Sequence, residues 1–309
     1  MPKKAKSSAE YILPLYMNGL SGRMLCLPAP KDRTREVVLV YGQHSSLERW
    51  WGLARAFNKY GAVTIPDLPG FGGMTSLYKI GQDASVDNLA DYLAAFFKLK
   101  YRRKKVTVVG MSLGFVVVTR MFQKYPELTK NVNTLISAVG LGHNEDFIFS
   151  PARMRFYRFV SAFFSKKITS AIFQAVFLQP FYLRRAYKHS RFAKEKFAEM
   201  SGDEFKRTMD MEISLWRIND LRTQMKTNHE MLTLDNTKRH VNLPVWHVAS
   251  KKDRYLNHIK VEEHLRRIFK DFHMVYTVDP NHAPTIIADA KAAAPFIPPE
   301  IRRLLREKD

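Results

Sequence analysis

Apolar residues follow two rhythms along this chain. Short β-branched runs bounded by turn residues alternate with longer stretches whose apolar positions recur every three to four residues. EVVLVYG (36–42), AVTIP (62–66), KKVTVVG (104–110) and NVNTLISAVG (131–140) read as strands buried on both faces, as in a parallel sheet. LERWWGLARAFNKY (47–60), DASVDNLADYLAAFFKLK (83–100) and SLGFVVVTRMFQKY (112–125) read as the helices between them. Ser45 and Ser46 are placed to cap the first helix, Gly61 to stop it, and Pro126 to end the third. Ahead of these, YILPLYMNGLSGRMLCLPAP (11–30) suggests two short strands around Asn18, Gly19 and Gly22.

The alternation stops near His143. From there to His240 the pattern is helical, with no convincing strand. It resumes with the strand LPVWHVAS (243–250), the helix LNHIKVEEHLRRIFK (256–270) and the strand FHMVYTV (272–278). A C-terminal helical stretch follows, interrupted by Pro295, Pro298 and Pro299. The expected fold class is α/β, a mostly parallel central sheet flanked by helices with a helical insertion. The expected division is a flexible tail over 1–10, core over 11–142, insertion over 143–240 and core again over 241–309.

Charge narrows the partners. The 309 residues carry a net charge of +21, so the surface tolerates or seeks anions. The excess is concentrated between Phe147 and Lys194, which holds ten Lys and Arg and no Asp or Glu, interleaved with aromatics. Three readings follow. The aromatics pack the insertion onto the core and the basic residues face water; or the stretch lies on an anionic membrane; or it meets nucleic acid, which is disfavoured because no recognised binding module is present. The lone cysteine, Cys26, rules out an intrachain disulfide and fits a reducing, cytoplasmic setting. No signal peptide is expected, because YILPLYMNGL is short and contains Pro14. Nor is a spanning helix, because the uncharged run Ile168–Leu183 falls short of the roughly 18 residues needed.

One stretch carries chemistry. In VTVVGMSLGF, Ser112 stands between Gly110 and Gly114 where a buried strand gives way to a helix. A hydroxyl there either caps the helix or is a nucleophile held out by a strained turn. A serine nucleophile needs a base, and the base needs an acceptor to fix its tautomer. His282 in VDPNHAPT and Asp253 in VASKKDRYLN each follow a late strand, at the sheet edge where Ser112 emerges.

With DLPGFGGM (67–74), GMSLGF and the Asp253 and His282 loops in this order, the chain resembles the α/β-hydrolase superfamily, in particular serine hydrolases with a helical cap. The resemblance covers nearly the whole chain. It implies Ser112 as nucleophile, His282 as general base and then acid, and Asp253 as the orienting carboxylate. It implies an oxyanion hole from the backbone N–H groups of Leu113 and Gln43, and it sets the serine enzyme apart from relatives with an aspartate nucleophile. Tyr41 stands where the family usually has histidine in the loop after the third strand. His44 and Met111 are candidates to line the substrate pocket. Asp67, Gly70, Gly72 and Gly73 read as loop-setting residues, and Glu145 and Asp146 as an alternative acid. The expected reaction is hydrolysis of a carboxylic ester with an apolar or lipid-like acyl group, without metal or organic cofactor. Amide, peptide or carbon–carbon hydrolysis, acyl transfer and a non-catalytic binding role stay open, as does the oligomeric state.

Overall fold

The computed structural model describes residues 7–189, 202–277, 293 and 296–307. Eight strands form one sheet in the order β1-β2-β4-β3-β5-β6-β7-β8. They are β1 (Ile12–Met17), β2 (Leu20–Leu27), β3 (Glu36–Val40), β4 (Ala62–Pro66), β5 (Val106–Met111), β6 (Val132–Ala138), β7 (Val245–Ala249) and β8 (Phe272–Tyr276). β1 and β2 form an antiparallel hairpin, and β2 runs antiparallel to β4; every other pairing is parallel. Asn18 and Gly19 make the hairpin turn in left-handed conformation, at φ 53° and 76°. Gly22 is not part of that turn; it lies within β2.

The helices α1 (Trp51–Asn58), α2 (Val86–Lys100) and α3 (Leu113–Lys124) connect the central strands. Ser85 caps α2, its hydroxyl accepting the Asn88 N–H at 3.1 Å. The expected Ser45–Ser46 cap does not form. A 3-10 turn over Leu47–Trp50 precedes α1 with no side-chain cap, and the Ser45 hydroxyl instead accepts the Trp50 indole N–H.

β3 leads through α1 to β4 on one side, and β4 leads back through α2 to β5 on the other. Right-handed crossovers then place α1 and α2 on opposite faces. The strand order reverses between β3 and β5, which is where open α/β sheets build their sites. α3 packs beside α2. α1 and the C-terminal α10 (Pro299–Leu304) share an apolar cavity against the other face.

Among the described residues, five α-helices lie between β6 and β7: α4 (Pro151–Phe164), α5 (Lys167–Phe177), α6 (Pro180–His189), α7 (Gly202–Ile218) and α8 (Leu221–Leu232). α9 (His258–Ile268) follows β7. The insertion has a small core of its own, built from Leu178, Leu183, Met209, Ile213 and Leu221. Its aromatics divide: Phe173 and Trp216 pack against this core, while Phe156, Phe159, Phe163, Phe177 and Phe181 are exposed. No helix among the described residues is long and apolar enough to cross a membrane.

Backbone contact fixes the start of α3. A Cβ on Gly114 would stand 2.2 Å from the Val40 carbonyl oxygen, and one on Gly110 would stand 2.7 Å from the Phe115 Cα. Gly114→Ala is therefore expected to lower unfolding free energy by about 2–3 kcal/mol, because rigid main chain must give way. Urea denaturation checks this. An unchanged midpoint would mean that α3 can retreat from β3 freely.

Candidate active site

Ser112 is the hinge between β5 and α3, with φ 48° and ψ −119°. A residue bearing a side chain seldom adopts positive φ, because Cβ crowds the carbonyl. The turn is held from both sides. The Ser112 N–H donates to the Ala138 carbonyl at 3.1 Å, and its own carbonyl accepts from Phe115 at 3.0 Å and Val116 at 3.2 Å. The hydroxyl makes no cap bond to the helix, so capping does not account for the residue.

Two neighbours share the strain. His44, after β3, has φ 50°, and Val139, after β6, has φ 43°. β3, β5 and β6 are adjacent, so three left-handed non-glycine residues line one stretch of the sheet's carboxyl edge. Such outliers persist only where the surroundings over-determine them. The loop after β3 closes on Ser112: a Cβ on Gly42 would lie 3.2 Å from the Ser112 Cβ and 3.8 Å from its Oγ. Gln43 is the next residue. Leu113 opens the first turn of α3, where backbone N–H groups have no acceptor within the helix.

Asp253 leaves the same edge after β7, and its Oδ1 accepts the N–H groups of Tyr255 (2.8 Å) and Leu256 (3.1 Å). These bonds fold the loop tightly around the carboxylate. His282 lies outside the described residues. Met111 is buried against the α1 face of the sheet, in the cavity it shares with Leu39, Trp50, Val109 and Ile301. His44 turns toward the insertion, its Nε2 lying 3.3 Å from Glu212 Oε2 and its ring 4.4 Å from that of Trp216, both on α7.

A profile of the alpha/beta hydrolase fold family matches residues 36–281. The chain belongs to the α/β-hydrolase family. Solved structures agree on the fold. An epoxide hydrolase, CorEH, superposes with a TM-score of 0.65 at 15% identity over 96% of this chain and 97% of its own. A membrane phospholipase A gives 0.64 at 14% over 96% and 87%, and a thermophilic esterase from Thermogutta terrifontis gives 0.60 at 16% over 96% and 98%. No curated protein sequence matches the chain.

Within this hydrolase fold, the position usually held by histidine does structural work. Tyr41 is fully buried, and its hydroxyl donates to Asp67 Oδ1 at 2.5 Å. Asp67 is equally buried, with Arg23 Nε 3.4 Å from its Oδ2. The loop that Asp67 begins needs glycine at 72: φ is 61°, and a Cβ there would lie 2.0 Å from Asp67 Oδ1. The same loop holds the insertion. The Gly72 N–H donates to Asn219 Oδ1 at 2.7 Å, the Asp220 N–H donates to the Gly70 carbonyl at 2.8 Å, and the Ser76 and Thr223 hydroxyls pair at 2.9 Å. The Gln43 side chain adds a tie to α8, donating to the Gln224 carbonyl at 3.1 Å and Thr227 Oγ1 at 2.5 Å.

Nothing local in the sequence pointed to the pairing of Tyr41 with Asp67 or of His44 with Glu212, because the partners are distant along the chain. Asp146 is engaged elsewhere: fully buried, it accepts from the backbone of Gly142 (2.8 Å) and His143 (3.0 Å) and pairs with His264 Nδ1 at 2.5 Å. Among the described residues, His143, Glu145 and His264 bring three possible metal ligands within 4.8 Å of one another. Both imidazoles are already tied into the fold through Nδ1, His143 to the Glu145 N–H and His264 to Asp146.

Burial pushes the Asp67 carboxyl up from 3.8 to about 7, against the opposing pull of Tyr41 and Arg23. Burial pushes the His247 imidazole, paired with the Ser137 hydroxyl, down from 6.5 to about 3. The raised carboxyl contributes stability below its unfolded value, which is lost as pH rises to its folded value. The depressed imidazole contributes stability above its unfolded value, which is lost as pH falls. Between about pH 4 and 6.5 the two slopes oppose each other. Asp67→Asn leaves the imidazole slope alone, so stability should climb across this window by about 1.4 kcal/mol per pH unit relative to the wild type. Urea midpoints over a pH series test this. A variant profile parallel to the wild type would show an Asp67 of ordinary acidity.

Proposed function

We propose that this chain is a serine hydrolase cleaving a carboxylic ester with an apolar, lipid-like acyl group. The observation that carries this reading is Ser112, held at positive φ on the switch-point edge without a side-chain cap bond to α3. Its Oγ attacks the ester carbonyl while His282 takes the proton, and Asp253 orients His282. The N–H groups of Leu113 and Gln43 receive the oxyanion, aided by the N-terminal dipole of α3. The alcohol departs with the proton from His282. Water, deprotonated by the same base, then releases the acid and restores Ser112.

The insertion acts as a cap over this edge, tied to the Gln43 loop and to the loop after β4. His44 and Trp216 stand where core and cap meet, which supports a role for His44 in the pocket. Met111, on the α1 face, supports the nucleophile turn from beneath. The aromatic content of the cap favours an apolar acyl group, and an esterase and a phospholipase A are among the proteins sharing the fold. The same reading makes the cap the part that approaches a lipid assembly.

A fluorophosphonate probe should label the native protein and not Ser112→Ala, and ester turnover should fall on the order of 10⁴-fold. Labelling that survives in Ser112→Ala would refute the nucleophile. A native protein that neither labels nor turns over would instead indicate a binding protein. Across p-nitrophenyl esters of increasing length, kcat/KM should peak at medium or long chains; a peak at acetate would exclude the lipid-like acyl group.

Strain gives an independent check. Ser112→Gly should be more stable than Ser112→Ala by about 1 kcal/mol, since glycine occupies positive φ without strain. Equal thermal midpoints for the two variants would argue against a strained turn.

A further inference from the structure

The helices that open the insertion carry large apolar residues on their outward faces as well as inward. In α4 the buried position is Ser161, whose hydroxyl bonds back to the Tyr157 carbonyl at 2.7 Å. Phe156, Phe159 and Phe163 of the same helix are 61%, 68% and 43% exposed. In α5 the buried position is Ser170, while Ile168, Ile172 and Val176, spaced four apart along one face, are 72%, 58% and 46% exposed. A helix serving only a soluble core would carry polar residues at these outward positions.

Exposed rings of the two helices are linked through half-buried Phe164 and Phe173. Ring contacts run from Phe159 to Phe163 (6.2 Å), on to Phe164 (5.1 Å), across to Phe173 (4.7 Å) and out to Phe177 (5.2 Å). The ladder joins α4 to α5. Arg155, one turn from Phe159, and Lys166 and Lys167, at the junction of the two helices, are exposed and form no ion pair among the described residues. The segment from Phe147 to Lys194 has no acidic residue to balance them.

Contiguous apolar surface of this kind marks an interaction site. Its charge selects the occupant. A second copy of the chain would set one uncompensated basic rim against another, a like-charge juxtaposition. An anionic bilayer offers acyl chains to the rings and phosphates to the rim. We propose that the α4–α5 face docks on an anionic lipid bilayer. The rings lie at the acyl boundary, and Arg155, Lys166 and Lys167 lie against headgroup phosphates. Docking is independent of Ser112. The corollary, that the ester reaching Ser112 comes from the bilayer, rests on the hydrolase reading.

Vesicle sedimentation of the full chain tests this, with phosphatidylcholine alone and with phosphatidylcholine plus phosphatidylglycerol. The protein should pellet with the anionic vesicles at low salt. It should stay in solution with the neutral ones, and with either at about 1 M salt, where screening acts within ~3 Å. Lys166→Glu with Lys167→Glu should weaken binding about 25-fold or more, at about fivefold per lysine removed. Phe159→Ser with Phe163→Ser should weaken it about tenfold or more. Both double variants should keep wild-type circular dichroism and wild-type turnover of a water-soluble ester, since every altered residue is exposed. Ser112→Ala should pellet like the wild type, so vesicle binding stands even if the nucleophile assignment falls. Equal binding to neutral and anionic vesicles, undiminished binding by the double variants, or a lipid-free dimer that the Phe variants dissolve would each overturn the docking surface.

Discussion

The main chain of α3 rests directly on the main chain of β3, and the geometry of the sheet's carboxyl edge depends on that contact. No side chain separates Gly114 from the Val40 carbonyl, where a Cβ would come within 2.2 Å. With the helix fixed so close, the chain leaving β5 has a single residue in which to reverse, and Ser112 takes a left-handed conformation to do it. Strain of this kind costs on the order of 1–3 kcal/mol. It persists because the Ser112 N–H and carbonyl are both bonded into their neighbours and because β5 is buried along its whole length. The hydroxyl is thereby left facing the loop that contains Gly42. The same contact that strains the backbone sets the hydroxyl beside Gly42.

A second constraint supports that loop from beneath. Asp67 is buried with one full hydrogen bond, from Tyr41, and a longer approach from Arg23. An ionised carboxylate is poorly accommodated there, which is why its acidity falls. What the arrangement gains is connection. Tyr41 immediately precedes the Gly42 loop, and Arg23 reaches both Asp67 and the Gly72 carbonyl, the latter at 2.7 Å. Gly72, in turn, bonds Asn219 at the start of the α8 region. A polar chain therefore runs from β2 through the core to the insertion. Replacing the usual histidine by Tyr41 leaves the path of this loop beside Ser112 and places a hydroxyl where the loop after β4 needs a donor.

Much of this was legible in sequence because burial on both faces leaves a strong signature. β3, β5 and β6 read as uninterrupted β-branched runs, and each strand formed where its run was found. The Gly-x-Ser-x-Gly stretch also showed its turn, although only Gly110 is required by a contact within the strand-turn-helix unit, with Phe115, while Gly114 is required by the main chain of β3. Local capping was less readable. Ser46 had a competitor in the 3-10 turn, and the Ser45 hydroxyl was taken by Trp50. Gly22 looked like a turn residue although it lies within β2, because composition marks a glycine without saying what crowds it. Long-range polar pairs, such as Tyr41 with Asp67 or His44 with Glu212, leave no periodic trace. The orientation of α4 and α5 was hidden for another reason. Periodicity shows that apolar residues share a face, but not whether that face looks inward.

Those outward apolar residues and the net charge of +21 bear on each other. Exposed rings on α4 and α5 contribute little to folding, because the insertion's own core is built from other residues around Leu178, Met209 and Leu221. Left alone, such a surface favours association of like molecules. A large uncompensated positive charge opposes that association, since every approach of two identical faces brings basic rims together. The same charge attracts any surface of opposite sign, and it acts most strongly where the rims are densest. Anchors joining the insertion to the core include Glu212, Asn219, Asp220 and Thr227 on α7, α8 and the turn between them, and Asp146 and Ile148 ahead of α4, while α4 and α5 present large apolar residues outward. Composition and geometry thus impose one requirement together. The apolar face is tolerable because it is basic at its margin, and the basic margin is selective because an apolar face lies between its charges.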